Sequence, residues 1–167
     1  MAWVDSEYAG ELAVVSAWLS ALLPWSLTVL SPSQSSESFT FVIIRYTYFQ
    51  FQFLLGSNLA VESFLWIADL PGFVTPQVRS AAWAAVAAAA LFALPLGFSI
   101  AYYLAEERVE GLPVDPVRVM GGLLAATAVV YGVATALLWQ HKAGLTLPVS
   151  PLFLAVFGVT LLRIERT

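Results

Sequence analysis

FTFVIIRYTYFQFQFLL, residues 39–55, is the stretch on which the reading of this chain turns. It is rich in β-branched and aromatic residues and poor in helix formers, a composition that suits a pleated, half-buried surface. Alternate positions read Phe39, Phe41, Ile43, Arg45, Thr47, Phe49, Phe51 and Phe53, with Tyr48, Gln50 and Gln52 on the other face. That is a period of two. A lone open strand cannot sit in lipid, because its backbone groups go unsatisfied there. The segment is therefore expected outside the hydrocarbon layer, β-like, with Arg45 reaching water or Glu62. The competing reading is a fifth helix carrying Arg45, with Glu62 or Glu11 as counterion. An arginine at the bilayer centre costs roughly 2.5–3.5 kcal/mol, which weighs against it.

Outward from this stretch the chain is apolar. Of 167 residues, 60% are hydrophobic and 11% charged, whereas a soluble domain carries about a quarter charged. A spanning helix needs about 20 predominantly apolar residues. Uncharged intervals place four, at 12–30, 81–105, 119–140 and 147–163. The expected fold is thus an all-α membrane protein forming a single integral domain over 1–167. Its four transmembrane helices are interrupted by a β-like extracellular or interfacial excursion, 31–78, between the first and second. Pro24 is read as a tolerated kink, and Pro95 as a bend in the second helix. Pro148 and Pro151 are read as marking the first turn of the fourth. Within 31–78, SPSQSSES (31–38) is a polar loop and Gly56-Ser57-Asn58 a turn. Residues 59–70 read as a short interfacial helix or a second strand.

Charge bounds the partners. Seven Lys and Arg against eleven Asp and Glu give a net charge of −4, which argues against nucleic acid. Only Lys142 among the seven basic residues is lysine, a bias shared by salt-adapted proteins and by GC-rich coding. With no cysteine, disulfides and thiolate chemistry are absent. The acidic start, Asp5, Glu7 and Glu11 without a basic residue, does not read as a cleavable signal peptide. Arg108, Arg118, Arg163 and Arg166 fall on one side of four spans, Arg45, Arg79 and Lys142 on the other. This balance, with Trp25, Trp83 and Trp139 as outer anchors and Tyr102 and Tyr103 as inner ones, places both termini in the cytoplasm.

YYLAEERVEGLPVDPVRVMGGLL (102–124) and VDSEYAGELAVVSAWLSALLPWS (4–26) together resemble an uncharacterised family of small haloarchaeal multi-pass membrane proteins. The resemblance implies a salt-loving archaeal cell membrane. It implies no activity, so no functional residue is carried over from it.

Two sets of residues are candidates for contact. Ala82, Ala85, Ala89 and Ala93 form one small-residue stripe, and Gly121, Ala125, Ala128, Gly132 and Ala136 another. Small side chains let helices approach closely where lipid supplies no hydrophobic drive, so the two stripes are expected to face each other in a hairpin; one of them serving as a homo-oligomer face is the alternative. Glu106, Glu107, Arg108 and Glu110 make a charged loop, read as a solvated hinge or a docking surface for a partner. Asp115-Pro116 is read as a helix cap. The single histidine, His141, reads as interfacial. Catalytic, cofactor and metal residues are expected to be none. Ionisable residues within spans, the usual mark of transport, are missing from the second, third and fourth. The expected function is a non-enzymatic accessory or assembly subunit of a larger membrane complex, in contact with lipid and with another membrane protein or copies of itself. A small oligomeric transporter or channel is the alternative.

Overall fold

Two short breaks remodel the outermost apolar runs. In the computed structural model, which describes residues 8–31, 39–56, 60–111, 113–140 and 144–164, the first run is not one helix. Helix α1 (Ala9–Leu22) stops before Pro24, and Ser26–Leu30 continues as strand β1. The last run begins as a strand, β5 (Leu145–Pro148), and becomes helix α5 (Val149–Arg163). Gly144 ahead of it has φ +88°, a conformation open to glycine at little cost. A Cβ there would also lie 2.6 Å from the Val29 carbonyl oxygen.

Between these ends, β2 (Thr40–Arg45), β3 (Phe49–Leu55) and β4 (Phe64–Trp66) precede helix α2 (Arg79–Leu104). The short helix α3 (Glu106–Glu110) and the long helix α4 (Pro116–Gln140) follow. The strands form one antiparallel sheet in the order β4-β3-β2-β1-β5.

The expectation of four transmembrane helices, all-α, is overturned. The helical part of the 12–30 run is 14 residues and that of the 147–163 run is 15. At 1.5 Å per residue these reach about 21 and 22 Å, short of the roughly 30 Å of a hydrocarbon core. Two helices, those of the 81–105 and 119–140 runs, are long and apolar enough to cross a membrane. The excursion is β as expected, but it belongs to a five-stranded sheet that also takes up β1 and β5. The 31–38 loop lies outside the described residues apart from Ser31, as do Ser57, Asn58 and His141.

Helix α1 packs on α2, and α4 packs on both α2 and α5. Gly10 of α1 sits where a Cβ would meet the Tyr102 hydroxyl at 2.4 Å. Trp18 donates its Nε1–H to Ser99 Oγ at 3.1 Å. One core runs from Ala9, Ala13 and Ala17 of α1 through Phe92 to Met120, Leu124 and Leu154. Both described chain ends thus lie at the α3 end of the bundle, while the sheet packs at the other. Asp115 accepts the Val117 amide at 2.9 Å and Pro116 opens α4, so the cap read from sequence is formed. Asp115→Ala is expected to lower stability by about 1 kcal/mol, seen as a reduced melting temperature, whereas Asp115→Asn is expected to keep most of it.

Candidate functional site

The register of the sheet assigns each side chain to a face. Arg45 pairs with Ser26 on one side and Gln50 on the other, and Ile43 with Thr28 and Gln52. Thr28 pairs with Thr146, and Gln50 with Leu65. Residues directly opposite share a face, so Ser26, Thr28, Thr146, Arg45, Gln50 and Gln52 all point the same way. All are buried except Arg45, which is half-buried, and this is the face that packs on the helices. The opposite face carries Leu27, Val29, Val42, Ile44, Phe49, Phe51, Phe53, Phe64, Trp66, Leu145 and Leu147. Among the described residues no charged side chain stands on it. A half-solvated antiparallel sheet ordinarily turns its apolar side to the core and its polar side to water. This sheet is inverted.

On the inner face the polar groups converge beside a half-open cavity of about 350 Å³. Trp25, Arg45, Gln50 and Gln52 line it from the sheet side, and Ala81, Ala82 and Ala85 from α2. The residues that lead into α2, from Leu70 to Val78, complete the wall. Arg45 Nη1 donates to Thr28 Oγ1 at 2.6 Å, and Thr28 in turn bonds Thr146 Oγ1 at 2.9 Å. The guanidinium lies 5.9 Å from the centre of the Trp25 ring, within cation–π range. Gln52 Nε2 donates to the Glu62 carbonyl oxygen at 2.8 Å, and Gln50 Nε2 makes a long 3.4 Å contact with Gln52 Oε1. No carboxylate comes within ion-pair distance of Arg45 among the described residues. Glu62 meets the network through its backbone and keeps its side chain outside, so the counterion read from sequence is not formed. Burial lowers the Arg45 pKa to about 10, which still leaves it charged at pH 7. The cavity therefore holds an apolar wall, two amides and one cation without a counter-charge.

The residues singled out from sequence lie elsewhere or only at its edge. Of the α2 stripe, Ala82, Ala85 and Ala89 are buried, and Ala82 and Ala85 line the cavity. Ala93 is exposed; Phe92 fills the core at that level. The α4 stripe does not turn as a unit toward α2. A Cβ on Gly121 would meet the Gly158 carbonyl oxygen and Leu161 Cβ at 3.0 Å, and a Cβ on Gly158 would meet Ala125 atoms at 2.8–3.0 Å. Gly121 and Ala125 thus seat α5. Ala128 is buried in the core, Ala136 is exposed, and a Cβ on Gly132 would meet nothing within 4 Å. Glu106, Glu107, Arg108 and Glu110 are exposed on α3, at the far end from the cavity, and Glu110 accepts the Tyr102 hydroxyl at 3.1 Å. Trp25 and Tyr102, read as membrane anchors, are buried. Trp25 stacks on Tyr131, ring centres 5.3 Å apart.

The place of Trp25 in the cavity wall rather than at an interface, the inward turn of Gln50 and Gln52, and the Leu70–Val78 wall escaped the sequence reading. The Phe/Gln alternation carried the signal for the glutamines. Its phase relative to Arg45 did not show, because Tyr46, Thr47 and Tyr48 form the turn between β2 and β3 and so place Arg45 with the glutamines. Among the described residues no three acidic or histidine side chains gather as a metal site.

Fold and site together define a helix-and-sheet protein that holds a cation in an apolar cavity beneath an inverted sheet. The chain belongs to the DUF7549 family, a family of unknown function, which matches residues 2–166. Among curated proteins none matches the chain.

Proposed function

We propose that this protein is a non-enzymatic integral membrane component, held by α2 and α4, whose outer sheet face seats a larger membrane partner. The observation that carries the reading is the extent of uncovered apolar surface. Within the most apolar 18-residue windows of α2 and α4, only 33% and 44% of residues are buried by the protein, so most of those side chains need an apolar neighbour from outside. Leu94, Ile100, Val129 and Val133 are at least half-exposed or nearly so. The outer sheet face adds Phe53, Phe64, Trp66, Leu145 and Leu147, all exposed. Phe49, Phe51, Phe64 and Trp66 already pack on one another with ring centres 5.2–6.3 Å apart, which presents a preformed aromatic surface at low entropic cost. Soluble monomers rarely leave patches of this kind bare.

Trp83, Tyr103 and Trp139 are more than half exposed near the ends of the two long helices, where interfacial aromatics collect. We assign the α3 end, with Arg108, Arg118 and both described chain ends, to the cytoplasm. The lysine scarcity and the resemblance to small haloarchaeal membrane proteins support a salt-adapted archaeal cell membrane. Residues 80–104 and 119–140 contain no Asp, Glu, Lys, Arg or His, which weighs against an ion or proton path and hence against the transporter reading.

Alkaline carbonate washing of membranes from expressing cells tests the proposal. The protein is expected in the pellet, released only by detergent; recovery in the carbonate supernatant would overturn membrane integration. After mild-detergent purification a larger partner is expected in fixed stoichiometry, and Phe51→Glu with Phe64→Glu is expected to release it while the protein stays in the membrane. A defined homo-oligomer that carries solute across liposomes would favour the transporter instead.

A further inference from the structure

The cavity beneath the sheet has a chemistry that the docking function does not use. An uncompensated arginine is costly in apolar surroundings, and the cost is offset when an anion shares its hydrogen bonds. Among the described residues the guanidinium makes one hydrogen bond, to a neutral hydroxyl, Thr28 Oγ1 at 2.6 Å. Gln50 stands directly across the strand pair from it. Most of the remaining wall is carbon, from the Trp25 ring, Phe41, Ile43 and the alanines at 81, 82 and 85, with Gln52 and Thr75 as its other polar residues. About 350 Å³ is at the small end of the roughly 300–1,000 Å³ of small-molecule sites, enough for a single chain and too little for a two-chain lipid.

We propose that this cavity binds a single-chain amphiphile with a monoanionic carboxylate head, the carboxylate on Arg45 and Gln50 and the chain along the alanine wall of α2. Charge selects the head: one cation neutralises one carboxylate, and the planar guanidinium fork matches its two oxygens. A phosphate monoester brings nearly two charges at neutral pH and would leave one uncompensated. Alanine selects the tail, since the small side chains of Ala81, Ala82 and Ala85 on α2 leave a smooth stretch of wall without a polar side-chain atom. The site lies inside the fold, so it stands whether or not a partner covers the outer face of the sheet.

Isothermal titration of the full chain in neutral-lipid nanodiscs tests it, with decanoate, decanol, decyl phosphate and inorganic phosphate as probes. Decanoate is expected to bind saturably at one per chain. Decanol and decyl phosphate are expected to bind at least about tenfold more weakly, and inorganic phosphate not to bind. Arg45→Gln is expected to weaken decanoate at least about tenfold without altering decanol, and Arg45→Lys to fall between. Equal binding of decanoate and decanol, or no saturable decanoate binding, would overturn the proposal from the unmodified protein alone, even where the Arg45 variants fail to fold. Tight binding of inorganic phosphate would assign the site to a free anion and overturn the amphiphile. Loss of the partner after detergent purification leaves all these results unchanged, and a chain released by carbonate is titrated in buffer with the same expected outcomes, so the two readings fail separately.

Discussion

Gly158→Val is expected to unfold or severely loosen the protein. A Cβ at 158 would stand 2.8 Å from the Ala125 amide nitrogen and 3.0 Å from its Cα, so the obstacle is backbone and cannot rotate aside. On the facing helix, Gly121 is closed the same way by the Gly158 carbonyl and the Leu162 amide nitrogen, each at 3.0 Å. The two helices touch main chain to main chain. Overpacking a filled core costs about 1–3 kcal/mol and sometimes more, and a branched side chain forced between two backbones belongs at or above the top of that range. Thermal unfolding followed by circular dichroism reads the loss. The control is on the facing helix, α4. A Cβ at Gly122 or Gly132 meets nothing within 4 Å, so Gly122→Ala and Gly132→Ala are expected to stabilise α4 by up to about 1 kcal/mol each. If Gly158→Val melts with the parent protein, the close α4–α5 approach is wrong.

Trp25→Ala carries the second large effect, about 3–5 kcal/mol as for other buried aromatics. Trp25 is 4% exposed, lies 20° from parallel with Tyr131, and donates its backbone amide to the Arg45 carbonyl oxygen at 2.7 Å. Its removal merges the cavity with the space over Tyr131 and leaves the guanidinium without its ring. Trp25→Phe keeps a ring and is expected to lose roughly half as much. Chemical unfolding of the two variants checks the order. An unchanged midpoint for Trp25→Ala would mean that the sheet and the helices do not meet through this residue.

Much of the architecture was legible before any fold was known. The uncharged runs at 81–105 and 119–140 became α2 and α4 with ends shifted by a few residues, because a long apolar run between charges has few alternatives to a helix. The alternation in 39–55 became β2 and β3, because β-branched and aromatic side chains crowd a helix and suit a pleat. Asp115-Pro116 announced the start of α4 through local chemistry alone. Each of these readings rests on residues within a turn or a strand of one another.

What failed depended on partners far along the chain. Ser26–Leu30 and Leu145–Pro148 look like parts of longer apolar helices, and period alone cannot separate a short buried strand from a helix segment. They are strands because each finds the other, more than a hundred residues away, together with β2. The alternation also could not say which face Arg45 shares, since the turn at Tyr46–Tyr48 resets the phase. Continuing the count through the turn set Arg45 beside Phe49, Phe51 and Phe53; pairing sets it beside Gln50 and Gln52. That exchange decides the character of the whole sheet. Sequence by itself determined that the chain is apolar, that 81–105 and 119–140 are helical and that 39–55 is extended, while it also read 12–30 and 147–163 as spans that the structure breaks into strand and short helix. Only the tertiary structure decided that the sheet turns its polar side inward and encloses Arg45, because a side chain's face is set by hydrogen-bonded neighbours that the linear order does not bring together.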